Sequence, residues 1–294
     1  MRILTIMSYL WYNEFGDKMI ELTASILEEV IEKRERQSHK GTYGKVVLIG
    51  GSNQFGGAII LAASATVYSG AGLVSVVTAK TNHGSLRARL PEAMALGFDD
   101  YFIEVVRKAD IIVIGPGLYL ENQGLNILKN VLNLVNENQW LIIDGSAITL
   151  YAKNNLQAQY PHKTIFTPHE REWEELAKIP IEKQSIESSQ LVVDQMKSIV
   201  VAKSHQTTIF TPNQSPAFIT IGTPAQATGG MGDTLAGIIA GFLAQFKTKP
   251  PKSIQAAVYL HSLIANRLAI SNYVVVPTKL IEQIPKTMKE FSRK

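Results

Sequence analysis

The chain contains no cysteine. That excludes disulfides, thiolate metal sites and a cysteine nucleophile, and it fits a reducing, cytoplasmic setting. No apolar run comes near the roughly 20 residues a membrane-spanning helix needs, so no membrane role is expected. Lys and Arg form no long run. The densest basic stretch, EKRERQSHK (32–40), is broken by two glutamates. No RNA-reading aromatic signature is present either, so nucleic acid is not the expected partner. There is no low-complexity segment, linker or internal repeat. The opening MRILTIMSYLWYNEFGDKM lacks a small-residue cleavage site and runs into Glu14 and Asp17, which fits neither a signal peptide nor an anchor. Residues 1–19 are read as an N-terminal extension and 20–294 as one domain.

What the chain does have is apolar material: 46% hydrophobic against 18% charged residues, enough for a large core. Its net charge of +4 suits an anionic small molecule. Residues 20–36 carry Ile20, Leu22, Ile26, Leu27, Val30 and Ile31 at helical spacing. Short β-branched runs follow at 45–50, 73–78, 111–115, 140–144, 163–167 and 199–203. Helical stretches at 57–69, 101–109, 122–135, 169–178 and 185–197 alternate with them. This rhythm predicts an α/β fold around a mostly parallel sheet. It breaks at 207–221, where TTIFT and AFITI read as an antiparallel hairpin, and two long apolar helices follow at 231–246 and 252–271, then a final one ending near Phe291.

In such sheets ligands sit beyond the carboxyl ends of the strands. Those ends carry GGSNQFGGA (50–58), GPGL (115–118), Asp144, TPHEREW (167–173) and Lys203. Taken singly, each has an ordinary structural reading: a tight turn, a helix cap, a surface histidine, a lone lysine. Asp144 in particular is either a cap or a holder of Mg2+ through water. Together they place glycine, acid, imidazole and ammonium groups on one edge, which points to a ligand site.

The sharpest motif is TGGMGDTLAGIIAGFLAQ (228–245). The backbone N–H groups of Gly230, Met231 and Gly232 open a buried helix and form an anion hole suited to a transferring phosphoryl group. Asp233 stands beside them as a general base for an attacking hydroxyl. A helix-dipole role alone, worth about 0.3–1 kcal/mol, leaves the clustered glycines without a purpose.

This G-x-G-D arrangement resembles ribokinase-like proteins. The ordered set KGTYGKVVLIGGSNQFGGA, SGAGLV, PEAM, GPGL, TPHEREW and TGGMGDTLAGIIAGFLAQ, spanning about 38–272, is similar to the NAD(P)H-hydrate dehydratase family. The resemblance implies a three-layer ribokinase-like fold with helices on both faces of the sheet. It implies repair of hydrated NADH and NADPH, the S-epimer, with ADP (or ATP) as phosphate donor and Mg2+ as cofactor. By the same resemblance Ala58, Gly117, His169 and Asp233 bind the hydrate. Lys203, Ser204, His205, Gln206, Thr207 and Gly232 bind the adenine nucleotide, and Glu172 and Asp144 serve the metal. A homo-oligomer is implied, a tetramer by the family's habit, as is a functional link to a separate hydrate epimerase. The chain departs from the family pattern at Ser204, where a glycine is usual, at Phe55, where a tyrosine is usual, and after Asp144, where a second acid often follows. Two rivals are a small-molecule kinase of the same fold and a nucleotide-binding regulatory protein without turnover.

Overall fold

The computed structural model describes residues 19–99 and 101–292. Among them runs one ten-stranded sheet: β1 (Ile20–Glu21), β2 (Lys45–Ile49), β3 (Leu73–Val77), β4 (Met94–Leu96), β5 (Ile111–Ile114), β6 (Trp140–Ile143), β7 (Thr164–Phe166), β8 (Ile199–Ala202), β9 (Thr208–Phe210) and β10 (Ala217–Phe218). The spatial order is β1-β10-β9-β8-β7-β6-β5-β2-β3-β4. From β8 to β4 every pairing is parallel, while β9 pairs antiparallel with both β8 and β10. All six expected central strands are present, each within a residue or two of its expected bounds.

Alternate residues of each strand feed opposite layers, as the strand period of two requires. Val46, Leu48, Val113 and Ile165 join one core with α1 (Ser25–Val30), α2 (Gly56–Tyr68), α3 (His83–Arg89), and the late helices α9 (Met231–Gln245), α10 (Pro250–Ala269) and α11 (Pro277–Phe291). Val47, Ile49, Ile114 and Phe166 join the other with α4 (Tyr101–Arg107), α5 (Asn122–Leu134), α6 (Ser146–Lys153), α7 (Glu170–Ala177) and α8 (Ile186–Met196). The result is the expected three layers. Each fully buried Ile or Leu contributes about 1.5–3 kcal/mol relative to exposure.

Two glycines set the relation between α2 and α9. A side chain at Gly237 would fall onto the Ala62 carbonyl, and one at Gly241 would meet Ser69 Cβ. With no side chains there, the two helices touch backbone to backbone and run in the same direction. Both therefore begin at the carboxyl edge of the sheet.

The helix expected over 20–36 is corrected. Ile20 and Glu21 pair with β10 instead, through Ile20 N–H to the Pro216 carbonyl (2.8 Å) and Leu22 N–H to the Phe218 carbonyl (2.8 Å). Helix α1 covers only six residues and ends where Ile31 turns extended. Residues 32–36 are all charged and supply no apolar face to bury. The buried set survives the change: Leu22, Ile26, Leu27, Val30 and Ile31 are inside, and only Ile20 is exposed. Strand β4 and helices α3 and α6 are additions to the expected elements. Residues 1–18 of the expected extension lie outside the described residues.

Candidate active site

The carboxyl ends of the central strands are stitched into one continuous edge. After β2, Gly51 and Ser52 donate their N–H groups to the carbonyls of Pro116 (2.9 Å) and Gly117 (2.7 Å) in the turn after β5. Gly117 holds φ +63, a left-handed geometry that glycine adopts without penalty. A Cβ placed on it would come 3.1 Å from the Ala58 methyl, so Gly117 and Ala58 are in direct contact, with Phe55 beside them and 59% exposed. The Phe55 ring is exposed to solvent.

Beyond β6 stands Asp144, 1% exposed. Its Oδ1 accepts from Thr167 Oγ1 (2.6 Å) and from Lys203 Nζ (2.8 Å). Lys203 continues β8 and pairs with the segment after β7, its N–H donating to the Pro168 carbonyl at 2.8 Å. Burial pulls the Lys203 ammonium toward deprotonation, but Asp144, Glu172 and Asp233 outweigh it and hold the pKa above the usual lysine value. Lys203 is a fixed cation.

His169 and Glu172 form a reciprocal cap on α7. The Glu172 N–H donates to His169 Nδ1 (3.3 Å) and the His169 N–H to Glu172 Oε2 (2.9 Å). The imidazole is 56% exposed, and its Nε2 lies 3.6 Å from Glu172 Oε1. Burial raises the Glu172 pKa against the pull of Lys203.

Helix α9 closes the site. Its N-cap, Gly230, has φ +93, a conformation that turns the chain sharply into the helix. A methyl at Gly232 would sit 3.1 Å from Lys203 Nζ, which places the helix N-terminus against the ammonium. Asp233 is the third helical residue. Burial pushes its pKa up to about 6, with Asp144 and Glu172 adding to the shift and Lys203 opposing it. At neutral pH it is mostly ionised and basic enough to accept a proton.

Next to Lys203 the 204–207 turn is held by its own side chains: Gln206 N–H donates to Ser204 Oγ (3.1 Å) and Thr207 Oγ1 to the Ser204 carbonyl (3.2 Å). Ser204 is not among the positive-φ residues, so a serine side chain fits there without backbone strain. Ser204, His205 and Gln206 are exposed; Thr207 is buried.

Among the described residues, no three His, Asp or Glu side chains converge on a point that would hold a metal by protein ligands alone. Asp144, Glu172 and Asp233 still set three carboxylates against the single ammonium of Lys203. That donor set fits a hydrated Mg2+ carried in on a phosphate, the way this ion is usually bound.

The structure thus brings Ala58 and Gly117 together at one end of the edge, and Asp144, His169, Glu172, Lys203, Gly232 and Asp233 together at the other. Thr167, which anchors Asp144, went unnoticed in the sequence as a partner.

A doubly wound sheet with a glycine-capped helix and an acid at its third position defines a ribokinase-like protein. A solved ribokinase-like superfamily protein from Enterococcus faecalis V583 superposes with a TM-score of 0.92 at 50% identity, covering 94% of this chain and 98% of that one. The family profile described as NAD(P)H-hydrate dehydratase matches residues 46–286. An ADP-dependent (S)-NAD(P)H-hydrate dehydratase of Lactococcus lactis subsp. lactis is 56% identical over 93% of this chain and 99% of its own length. The ADP/ATP-dependent NAD(P)H-hydrate dehydratase of Bacillus subtilis, co-crystallized with ATP/Mg2+, is 26% identical with a TM-score of 0.81, covering 92% of this chain and 98% of that one. The chain belongs to the NAD(P)H-hydrate dehydratase family. No helix among the described residues is long and apolar enough to cross a membrane.

Proposed function

We propose that the protein is a hydro-lyase that restores NADH and NADPH from their hydrated S-epimers, using ADP as phosphate donor. The observation that carries the reading is the contact of Gly232 with Lys203 beside Asp233: a helix N-terminus, a fixed cation and a base with a pKa of about 6 in one place. Relatives at 56%, 51% and 47% identity bear the name ADP-dependent (S)-NAD(P)H-hydrate dehydratase, which supports ADP over ATP.

The chemistry has two stages. Asp233 takes the proton of the ring hydroxyl as its oxygen attacks the terminal phosphorus of ADP, and AMP leaves. The N–H groups of Gly230, Met231 and Gly232, with the Lys203 ammonium, stabilise the charge on the transferring phosphoryl oxygens. Hydroxide is a poor leaving group, but the phosphate ester is a good one. The ring nitrogen's lone pair expels phosphate, and loss of a ring proton restores the dihydropyridine. Asp144 and Glu172 would hold Mg2+, which would supply neutralising charge to the phosphates.

Ala58, Gly117 and the exposed edge of His169 form the hydrate side. Lys203, the 204–207 turn and Gly232 form the nucleotide side. The same reading makes the protein a homo-oligomer, a tetramer by the family's habit. It acts in the cytoplasm on a hydrate that a separate epimerase brings to the S form.

The test is the near-ultraviolet absorbance of reduced nicotinamide, which the hydrate lacks. Protein, Mg2+ and hydrated NADH are mixed with ADP in one cuvette and ATP in another. A rise that requires ADP supports the reading. A flat trace in both, from protein that binds nucleotide, moves it to the small-molecule kinase.

A further inference from the structure

Between β3 and α3, Asn82 is buried under the first glycine loop and touches none of the groups assigned above to substrate or nucleotide. It is 8% exposed. Its Nδ2 donates to the carbonyls of Gly51 (2.9 Å) and Ser52 (3.2 Å) and to Thr78 Oγ1 (3.0 Å). The Thr78 hydroxyl in turn donates to the Gly51 carbonyl at 2.9 Å. The amide orientation follows from the partners, since an end that faces two carbonyls must be the NH2.

The other side of this loop is committed as well. The Gly51 and Ser52 N–H groups go to Pro116 and Gly117, and Gly117 packs on Ala58 and Phe55. The other end of the carboxamide reaches the start of α2, where a Cβ on Gly56 would fall onto Asn82 Oδ1. One side chain thus pins the carbonyl side of the 51–52 turn, while the amide side of that turn holds the Gly117–Ala58 contact in place. On the 203–207 and 230–233 side, the structure shows no bond to Asn82.

We infer that Asn82 is a positioning residue for the dinucleotide half of the site, setting affinity for the hydrated nicotinamide dinucleotide and leaving the ADP half untouched. The inference rests on the reading of Ala58 and Gly117 as the hydrate side. Its physical basis is that a displacement of about 1 Å in a positioning group costs a reaction up to roughly a hundredfold.

The experiment measures steady-state KM for hydrated NADH and for ADP separately, in the wild type and in Asn82→Ala, Asn82→Asp and Thr78→Val. Asn82→Ala should raise KM for the hydrate by about tenfold and leave KM for ADP within about twofold. Asn82→Asp, the same shape with acceptors facing two carbonyls, should be worse. Thr78→Val, which removes a donor from the same carbonyl and keeps the carboxamide, should move the hydrate KM the same way by a smaller factor. It also preserves the test where the Asn82 variants fold poorly. A general structural weakening would move both constants together, and that parallel shift overturns the inference. So does an unchanged hydrate KM in a wild type and variants that all turn over. A wild type that leaves hydrated NADH untouched overturns the proposed function and this role with it.

Discussion

The Lys203 ammonium donates to Asp144 Oδ1 across 2.8 Å, joining the ends of two strands that are 59 residues apart in sequence. Asp144 is almost wholly buried, and the Thr167 hydroxyl donates to the same oxygen. A buried pair of this kind costs little when whole and much when halved, because the survivor is a desolvated charge.

Lys203→Met should therefore destabilise the fold by about 3–5 kcal/mol in denaturant unfolding, besides weakening nucleotide binding. Adding Asp144→Asn to Lys203→Met should recover part of that loss. Two losses that simply add would show that the pair is not coupled in the folded protein.

Asp233 works in the opposite sense. Its native pKa is about 6 against a reference of 3.8, so its contribution to stability is complete below the lower value and lost as pH rises through the upper one. Asp233→Asn should unfold at higher temperature than the wild type near neutral pH, by about 1–3 kcal/mol of added stability. It should still bind ADP and lose about two to four orders of magnitude in turnover. In the wild type, kcat/KM should fall as pH drops through about 6, and that limb should be missing from the residual rate of the variant. A variant as active as the wild type would remove Asp233 from the role of base.

The glycines of α9 should separate function from packing. A methyl at Gly232 meets only the Lys203 side chain, 3.1 Å from its Nζ and clear of any backbone, so Gly232→Ala should change stability by less than about 1 kcal/mol while raising KM for ADP. A methyl at Gly237 meets the Ala62 backbone, so Gly237→Ala should cost about 1–3 kcal/mol through overpacking. Its kcat should be close to normal. Thermal unfolding and steady-state kinetics on the two variants decide it, and the reverse pattern would mean that the anion-hole turn is a packing element.

The central strands were legible because buried parallel strands are runs of Val and Ile, as in IIVI and WLII. The glycine-led start of α9, which the proposed anion hole uses, was legible because its residues are contiguous. What sequence could not supply was pairing at a distance. Nothing in IIDGS says that Asp144 will meet Lys203, or that the imidazole of His169 will cap the helix beginning one residue later. The stretch at 20–36 misled for a related reason: its apolar spacing is helical, but the free edge of β10 offered Ile20 and Glu21 a hydrogen-bonded partner that the spacing does not reveal. Asn82 carries no motif, and its role is visible only where three loops meet.

The backbone contact of α2 with α9 has a consequence for the site. Because Gly237 and Gly241 seat one helix on the other, the helix starts that carry Ala58 and Asp233 are tied by a backbone contact, and a larger side chain at either glycine would shift one start against the other.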